Sequence, residues 1–182
     1  GAFGSTGRGC EEVSGARADV LVGTLGKGFG ADGGYAVGDQ TVIDYLRESS
    51  ATYIYSNSIA PGCAAAAQAA IDLLDSSEGA ALLQKLKMNI EALKNQLKEK
   101  GFQLAAESSH PIQPVLIGDS LQTKALVRKM FERGFLISSI NYPVVPKGRD
   151  EIRVQLSAAH TLEDITDFVN ALSEAARELE II

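Results

Sequence analysis

The strongest pattern along the chain is a stripe. Leu83, Leu86, Ile90, Leu93 and Leu97 step by three and four residues through an otherwise polar stretch, the spacing that lines apolar side chains along one face of an α-helix. Gly101 follows in the position where a glycine commonly ends such a helix. Upstream, Pro61 to Leu74 is alanine-rich, which favours a closely packed helix, and Thr41 to about Glu48 predicts another. Period-two alternation appears at Ile152-Arg153-Val154-Gln155-Leu156 and predicts a half-buried strand. Pro114 to Ile117 and Phe135 to Ile140 predict further strands, with a helix between them from Leu121 to Arg133. Thr161 to Glu180 predicts the closing helix: Thr161 can cap it, and Glu163 and Asp164 suit its positive first turn.

The N-terminal part is less regular. Residues 1–17 read as loop, Asp19 to Leu25 as a short buried strand, Gly26 to Gly34 as a glycine-dense turn and Gly34 to Gly38 as a second strand. Ala51 to Pro61 reads as irregular, and Tyr142 to Gly148 as a proline-containing loop. The strand-helix-strand-strand-helix order of the later part predicts a small α/β domain over 75–182, preceded by a different unit over 1–74. Dense glycine from residue 1, with no element for that loop to connect, reads as the continuation of a longer chain.

Composition narrows the chemistry. A net charge of −6 argues against nucleic acid as the main partner, because phosphate binding needs a basic surface. No apolar run approaches the ~18 residues of a membrane span, so no membrane partner is expected. Cys10 and Cys63, with only His110 and His160 far from them in sequence, make neither a disulfide framework nor a supported metal site; no metal is expected. Free thiols in a reducing cytosol or mitochondrial matrix are the simpler reading, and a cytoplasmic location is expected.

Lys27 in the glycine turn admits several readings. A phosphate loop of the Walker type needs four residues between its first glycine and the Gly-Lys pair, then Ser or Thr. Here two residues, Thr24 and Leu25, separate Gly23 from Gly26-Lys27, and Gly28 follows, so that reading fails. Gly28-Phe29-Gly30-Ala31-Asp32-Gly33 matches a dinucleotide fingerprint by letters, but the segment after it reads as strand where the fingerprint requires a helix. A Schiff-base lysine needs neighbours that lower its pKa, and a turn after a buried strand would supply a fixed, partly desolvated position, with Thr24 able to bond a cofactor phosphate. By local pattern alone, an exposed lysine in a flexible loop is the commoner case.

The rest of the chain shifts that balance. Thr24-Leu25-Gly26-Lys27, Gly33-Gly34-Tyr35, Ser56-Asn57-Ser58, the Tyr142 to Gly148 loop and the run from Ile152-Arg153 to Ser157-Ala158-Ala159-His160 together resemble the α-oxoamine synthases. These are fold-type I pyridoxal-5′-phosphate (PLP) enzymes that condense an amino acid with an acyl-CoA. The resemblance runs in order through essentially the whole chain. It implies an α/β fold, the C-terminal part of a fold-type I PLP-dependent transferase, with a remnant of the large PLP-binding domain over 1–74 and the small C-terminal domain over 75–182. It implies that Lys27 carries PLP and later takes a proton from the substrate α-carbon, and that Thr24 contacts the phosphate. Ser56 and Asn57 match the segment that reaches the phosphate of a neighbouring subunit's cofactor, which implies a homodimer with shared sites. Arg153 would bind the substrate carboxylate, a task suited to a planar bidentate donor, against the plainer reading of an outward-facing strand arginine.

Within the family, the Tyr142 to Gly148 loop and the Ser157 to Thr161 run are similar to the branch that condenses glycine with acetyl-CoA. The 8-amino-7-oxononanoate synthases are similar around Lys27 and differ in the proline loop. The aminolevulinate synthases share Asn141-Tyr142-Pro143 and depart after the arginine. The family's Asp-x-x-His motif, which tunes the cofactor ring, would lie before Gly1, so the 182-residue chain alone is expected to be inactive. His160, just before a helix, is read as structural; His110 and Cys63 as structural or surface residues; Lys147 and Arg149 as solvated loop charges. A non-enzymatic alternative is a cofactor-free scaffold that keeps the fold. Retention of Thr24, Lys27, Ser56, Asn57 and Arg153 together argues against it, because a scaffold needs none of them.

Overall fold

All five residues of the leucine-rich stripe are buried, from 7% exposure at Leu83 and Leu86 to 0% at Leu93 and Leu97. In the computed structural model, which describes residues 1–182, they lie on one long helix, α5 (Ser77–Glu99). Gly101 ends it in the left-handed conformation, φ +88°. The chain divides into two compact units, Gly1–Leu83 and Gln84–Ile182, and the division falls inside this helix.

The first unit contains α1 (Cys10–Ser14), β1 (Val20–Thr24), β2 (Gly34–Gly38), α2 (Gln40–Ser49), α3 (Ala51–Ile54) and α4 (Pro61–Leu74). Two short helices stand where loop was expected. α1 forms because the Glu12 carboxylate folds back over the glycine loop, accepting from the backbone N–H groups of Thr6 and Arg8 at 2.8 and 3.0 Å and from the Ser5 hydroxyl. α3 is a single turn separated from α2 by one residue, Ser50. Strands β1 and β2 pair antiparallel, from Val20 opposite Gly38 to Thr24 opposite Gly34. The expected burial of the first strand does not hold: Val22 is 75% exposed. A two-stranded ribbon has too few neighbours to cover its valines, and only Leu25, just beyond the strand, is buried. Helix α4 spans the alanine-rich stretch as the composition implies, although Ala67 is its one buried residue.

The second unit is a four-stranded antiparallel sheet, ordered β3 (Gln103–Leu104), β4 (Ile112–Leu116), β6 (Glu151–Gln155), β5 (Ser138–Ile140), with α6 (Ser120–Glu132), α7 (Leu162–Glu178) and the later turns of α5. The register sets Val115 opposite Ile152, both fully buried, and Gln113 opposite Val154. Alternation then places Pro114 and Arg153, which face each other across the same pair, on the opposite side of the sheet. The third expected strand is shorter than its apolar run: pairing stops at Ser138 opposite Arg153, so Phe135 to Ile137 lie outside the sheet. Thr161 caps α7 as part of a reciprocal capping box with Asp164. Lys129 of α6 and Arg133, the residue just after that helix, both hold Glu178 of α7, at 2.5 and 2.6 Å. No helix is long and apolar enough to cross a membrane.

Candidate functional site

The turn between β1 and β2 is held by its own backbone. Leu25 N–H donates to Gly33 O, Ala31 N–H to Leu25 O and Gly30 N–H to Lys27 O, each at 3.0 Å. These bonds close the loop from both ends and fix where Lys27 sits. Gly30 and Gly33 have φ of +62° and +98°, which side chains rarely tolerate, so the tight path of this loop depends on glycine. Thr24, at the end of β1, accepts from Gly26 N–H at 3.3 Å through its hydroxyl oxygen. That contact occupies a lone pair and leaves the hydroxyl hydrogen to donate, the polarity a phosphate oxygen requires. The turn therefore supplies the fixed position expected of it, and on this chain by itself Lys27 is exposed.

Ser56 and Asn57 follow α3 and are exposed. One contact ties their segment to the lysine turn. Ile59 packs so closely on Gly33 that a Cβ there would lie 2.3 Å from Ile59 Cγ2. A bare glycine backbone is what lets Ile59 seat against the turn. Ser56, Asn57, Thr24 and Lys27 all belong to the first unit.

Arg153 belongs to the second unit. It lies on the middle of β6, half-buried, on the face opposite the core. Its Nη2 donates to Gln155 Oε1 at 3.2 Å. No carboxylate forms an ion pair with it. Glu151, two residues earlier on the same face, has a carboxyl pushed above its ordinary pKa by burial, an effect that Arg149 partly offsets. His110 is pushed below its ordinary pKa, chiefly by burial and further by the Arg153 charge. Its Nδ1 accepts from Ile112 N–H at 3.1 Å, so the neutral ring carries its proton on Nε2.

The loop after β6 is anchored from beneath. Asn89 of α5, 4% exposed, donates through Nδ2 to Ser157 O at 3.1 Å and to His160 O at 2.9 Å. His160 Nδ1 accepts from Ser157 N–H at 3.1 Å. The histidine thus closes a local turn, which is the structural role its place before a helix suggests. Lys147 sits over the Tyr142 ring at 5.1 Å, and Arg149 donates to Ala105 O at 3.0 Å.

Comparison with known proteins settles the family. The pattern of the aminotransferase class I and II family matches residues 1–172. The chain belongs to that family. A 2-amino-3-ketobutyrate coenzyme A ligase of Salmonella typhimurium is 39% identical over 186 residues, covering all of this family member but 46% of the relative. An 8-amino-7-oxononanoate synthase of Thermosipho melanesiensis is 36% identical over 184 residues, again covering 46% of the relative. Among solved structures, serine palmitoyltransferase with a PLP internal aldimine superposes with a TM-score of 0.91 at 28% identity, over 100% of this chain and 46% of that one. This class I and II aminotransferase chain thus has the α/β fold of fold-type I PLP enzymes and spans about half the length of the curated relatives it matches. Family and PLP-containing neighbour together support pyridoxal 5′-phosphate as its cofactor.

The residues present suit that cofactor. A primary amine on a fixed turn and a hydroxyl three residues earlier with its hydrogen available are the groups that an aldehyde and a phosphate call for. Three contributors escaped the sequence reading: Ile59, Asn89 and Gln155. The first two act on residues distant in the chain, which periodicity does not register. Gln155 had a weak signal, since alternation puts it on the Arg153 face.

Proposed function

We propose that this chain is the C-terminal part of a PLP-dependent C-acyltransferase that condenses glycine with acetyl-CoA to 2-amino-3-ketobutyrate and CoA, the reaction of a glycine C-acetyltransferase. The observation that supports the reading is the hydrogen-bonded turn that holds the Lys27 backbone, three residues after the available Thr24 hydroxyl. Resemblance to the 2-amino-3-ketobutyrate coenzyme A ligases supports the branch. When bound, the cofactor supplies an electron sink that stabilises negative charge on the amino-acid α-carbon. Lys27 would hold it through its amine and, once released, accept the α-proton of glycine. Thr24 would donate to the phosphate. Ser56 and Asn57 would reach the phosphate in the neighbouring subunit of a homodimer, so each site would draw on both chains. Arg153 would take the glycine carboxylate; a half-buried guanidinium without an acidic partner has its charge available for such an anion. Residues 1–74 would belong to the large cofactor domain and 75–182 to the small one, in a cytoplasmic enzyme whose 182-residue stretch is inactive alone.

Borohydride reduction of the full-length protein, followed by peptide mass mapping, tests the central assignment. A pyridoxyl mass on the peptide holding Lys27, absent in Lys27→Ala, is the expected result; cofactor retained on another lysine would overturn it. The second reading, an 8-amino-7-oxononanoate synthase, has the 36% identical relative in its favour. Turnover with a longer acyl-CoA and alanine, and none with glycine and acetyl-CoA, would establish it.

A further inference from the structure

An arginine that is to grip a substrate carboxylate must hold its planar fork at a set angle and keep its charge. Those needs conflict, because the commonest way to fix a guanidinium is a salt bridge, and a salt bridge occupies the donors and cancels the field. In this structure Arg153 is held by a neutral acceptor. Gln155 lies two residues along β6, so the alternation of the strand sets both side chains on one face, and its Oε1 accepts from Arg153 Nη2 at 3.2 Å. Glu151, the other same-face neighbour on β6, forms no ion pair with Arg153. One guanidinium N–H is therefore spent on orientation, and the remaining donors and the whole charge are left for a ligand.

We infer that Gln155 is a positioning residue for carboxylate recognition: it aims Arg153 without neutralising it. This rests on the reading that Arg153 binds the substrate carboxylate. Its distinctive consequence is that the isosteric acid is worse than a residue that makes no bond. Gln155→Glu would place a carboxylate where the glutamine acceptor stands, convert the contact into an internal ion pair and compete with the substrate. Gln155→Met would remove the acceptor and leave the charge intact.

The experiment uses the full-length holoenzyme, measuring KM and kcat for glycine and acetyl-CoA together with equilibrium titration of the cofactor absorbance by glycine and by glycinamide, which lacks the carboxylate. Gln155→Met is expected to raise the glycine KM about tenfold, the weight of one hydrogen bond to a charged group. Gln155→Glu should raise it further. In both variants the acetyl-CoA KM and the affinity for glycinamide should stay within about twofold, a difference that a single weak contact accounts for. Arg153→Gln is the reference. If it weakens glycine but Gln155→Glu and Gln155→Met do not, Gln155 has no positioning role. If both Gln155 variants weaken glycine and glycinamide alike, the effect is general damage to the strand and the inference fails. Should Arg153→Gln itself leave glycine affinity unchanged, the carboxylate reading of Arg153 is wrong and the inference falls with it.

Discussion

Asn89 offers a quantitative test of how the loop after β6 is held. It is a polar residue in the buried side of α5, and its Nδ2 donates to two carbonyls of the Ser157–His160 loop. In Asn89→Ala both bonds vanish, with unequal consequences. Ser157 O also accepts from His160 N–H at 3.3 Å, so it keeps a partner. His160 O has no such second donor and is left short of one. A lost bond is worth about 1 kcal/mol, and a part-buried acceptor left unsatisfied costs up to about 1–3 kcal/mol, for a total of at most roughly 2–4 kcal/mol. Alanine is the better helix former by up to about 0.7 kcal/mol, which offsets part of that. Asn95, exposed on the same helix, isolates the offset: Asn95→Ala should change stability by no more than about 0.5–0.7 kcal/mol. Urea unfolding followed by circular dichroism reads both variants. With a slope of about 2 kcal/mol per molar and that offset subtracted, Asn89→Ala should lower the midpoint by about 0.7–1.7 M at unchanged slope. A midpoint shift no larger than that of Asn95→Ala would refute the claim that these two bonds pin the loop.

The Glu12 staple predicts a pH response. Its carboxyl is pulled down to about 2, first by the Ser5 hydroxyl and then by the Thr6 and Arg8 backbone N–H groups, with burial opposing. A carboxyl depressed from 4.5 in the folded chain contributes stability that is present above about 4.5 and lost as pH falls through about 2. Limited proteolysis by an acid protease should show the Ser5–Arg8 loop protected at pH 5 and opened near pH 2, and Glu12→Gln should open it at both. Gly33→Ala should loosen the lysine turn, since a Cβ would meet Ile59 at 2.3 Å and φ is +98°. The expected result is loss of cofactor absorbance from the full-length protein, restored in part by Ile59→Ala, which gives the methyl room; wild-type occupancy in Gly33→Ala would refute the close seating.

Local pattern carried the helices and most strands. The leucine stripe, the Thr161 cap and the Ile152–Leu156 alternation read correctly because helix and strand periods are properties of neighbouring residues. Where neighbours elsewhere in the chain decide, the reading was poorer. Phe135 to Ile137 have the composition of a strand, yet pairing ends at Ser138, because a strand exists only as far as its partner follows it. Gln103–Leu104, two residues long, has too short a run for any period to show. Asp19 to Leu25 is apolar enough to be buried, but burial depends on what covers a strand, and one partner strand does not suffice.

The candidate site divides the same way. That Thr24, Lys27, Ser56, Asn57 and Arg153 were the residues to examine came from the sequence, because motif spacing and ordered resemblance survive in one dimension. Tertiary structure alone decided how they are held: the turn bonds that fix Lys27, the Ile59 contact that packs on the turn at Gly33, and the neutral glutamine that holds Arg153. Those facts depend on rotamers and on approaches between backbones, where tenths of an ångström select one partner over another. Residue types specify which chemistry is possible, and packing determines which of those possibilities is aimed.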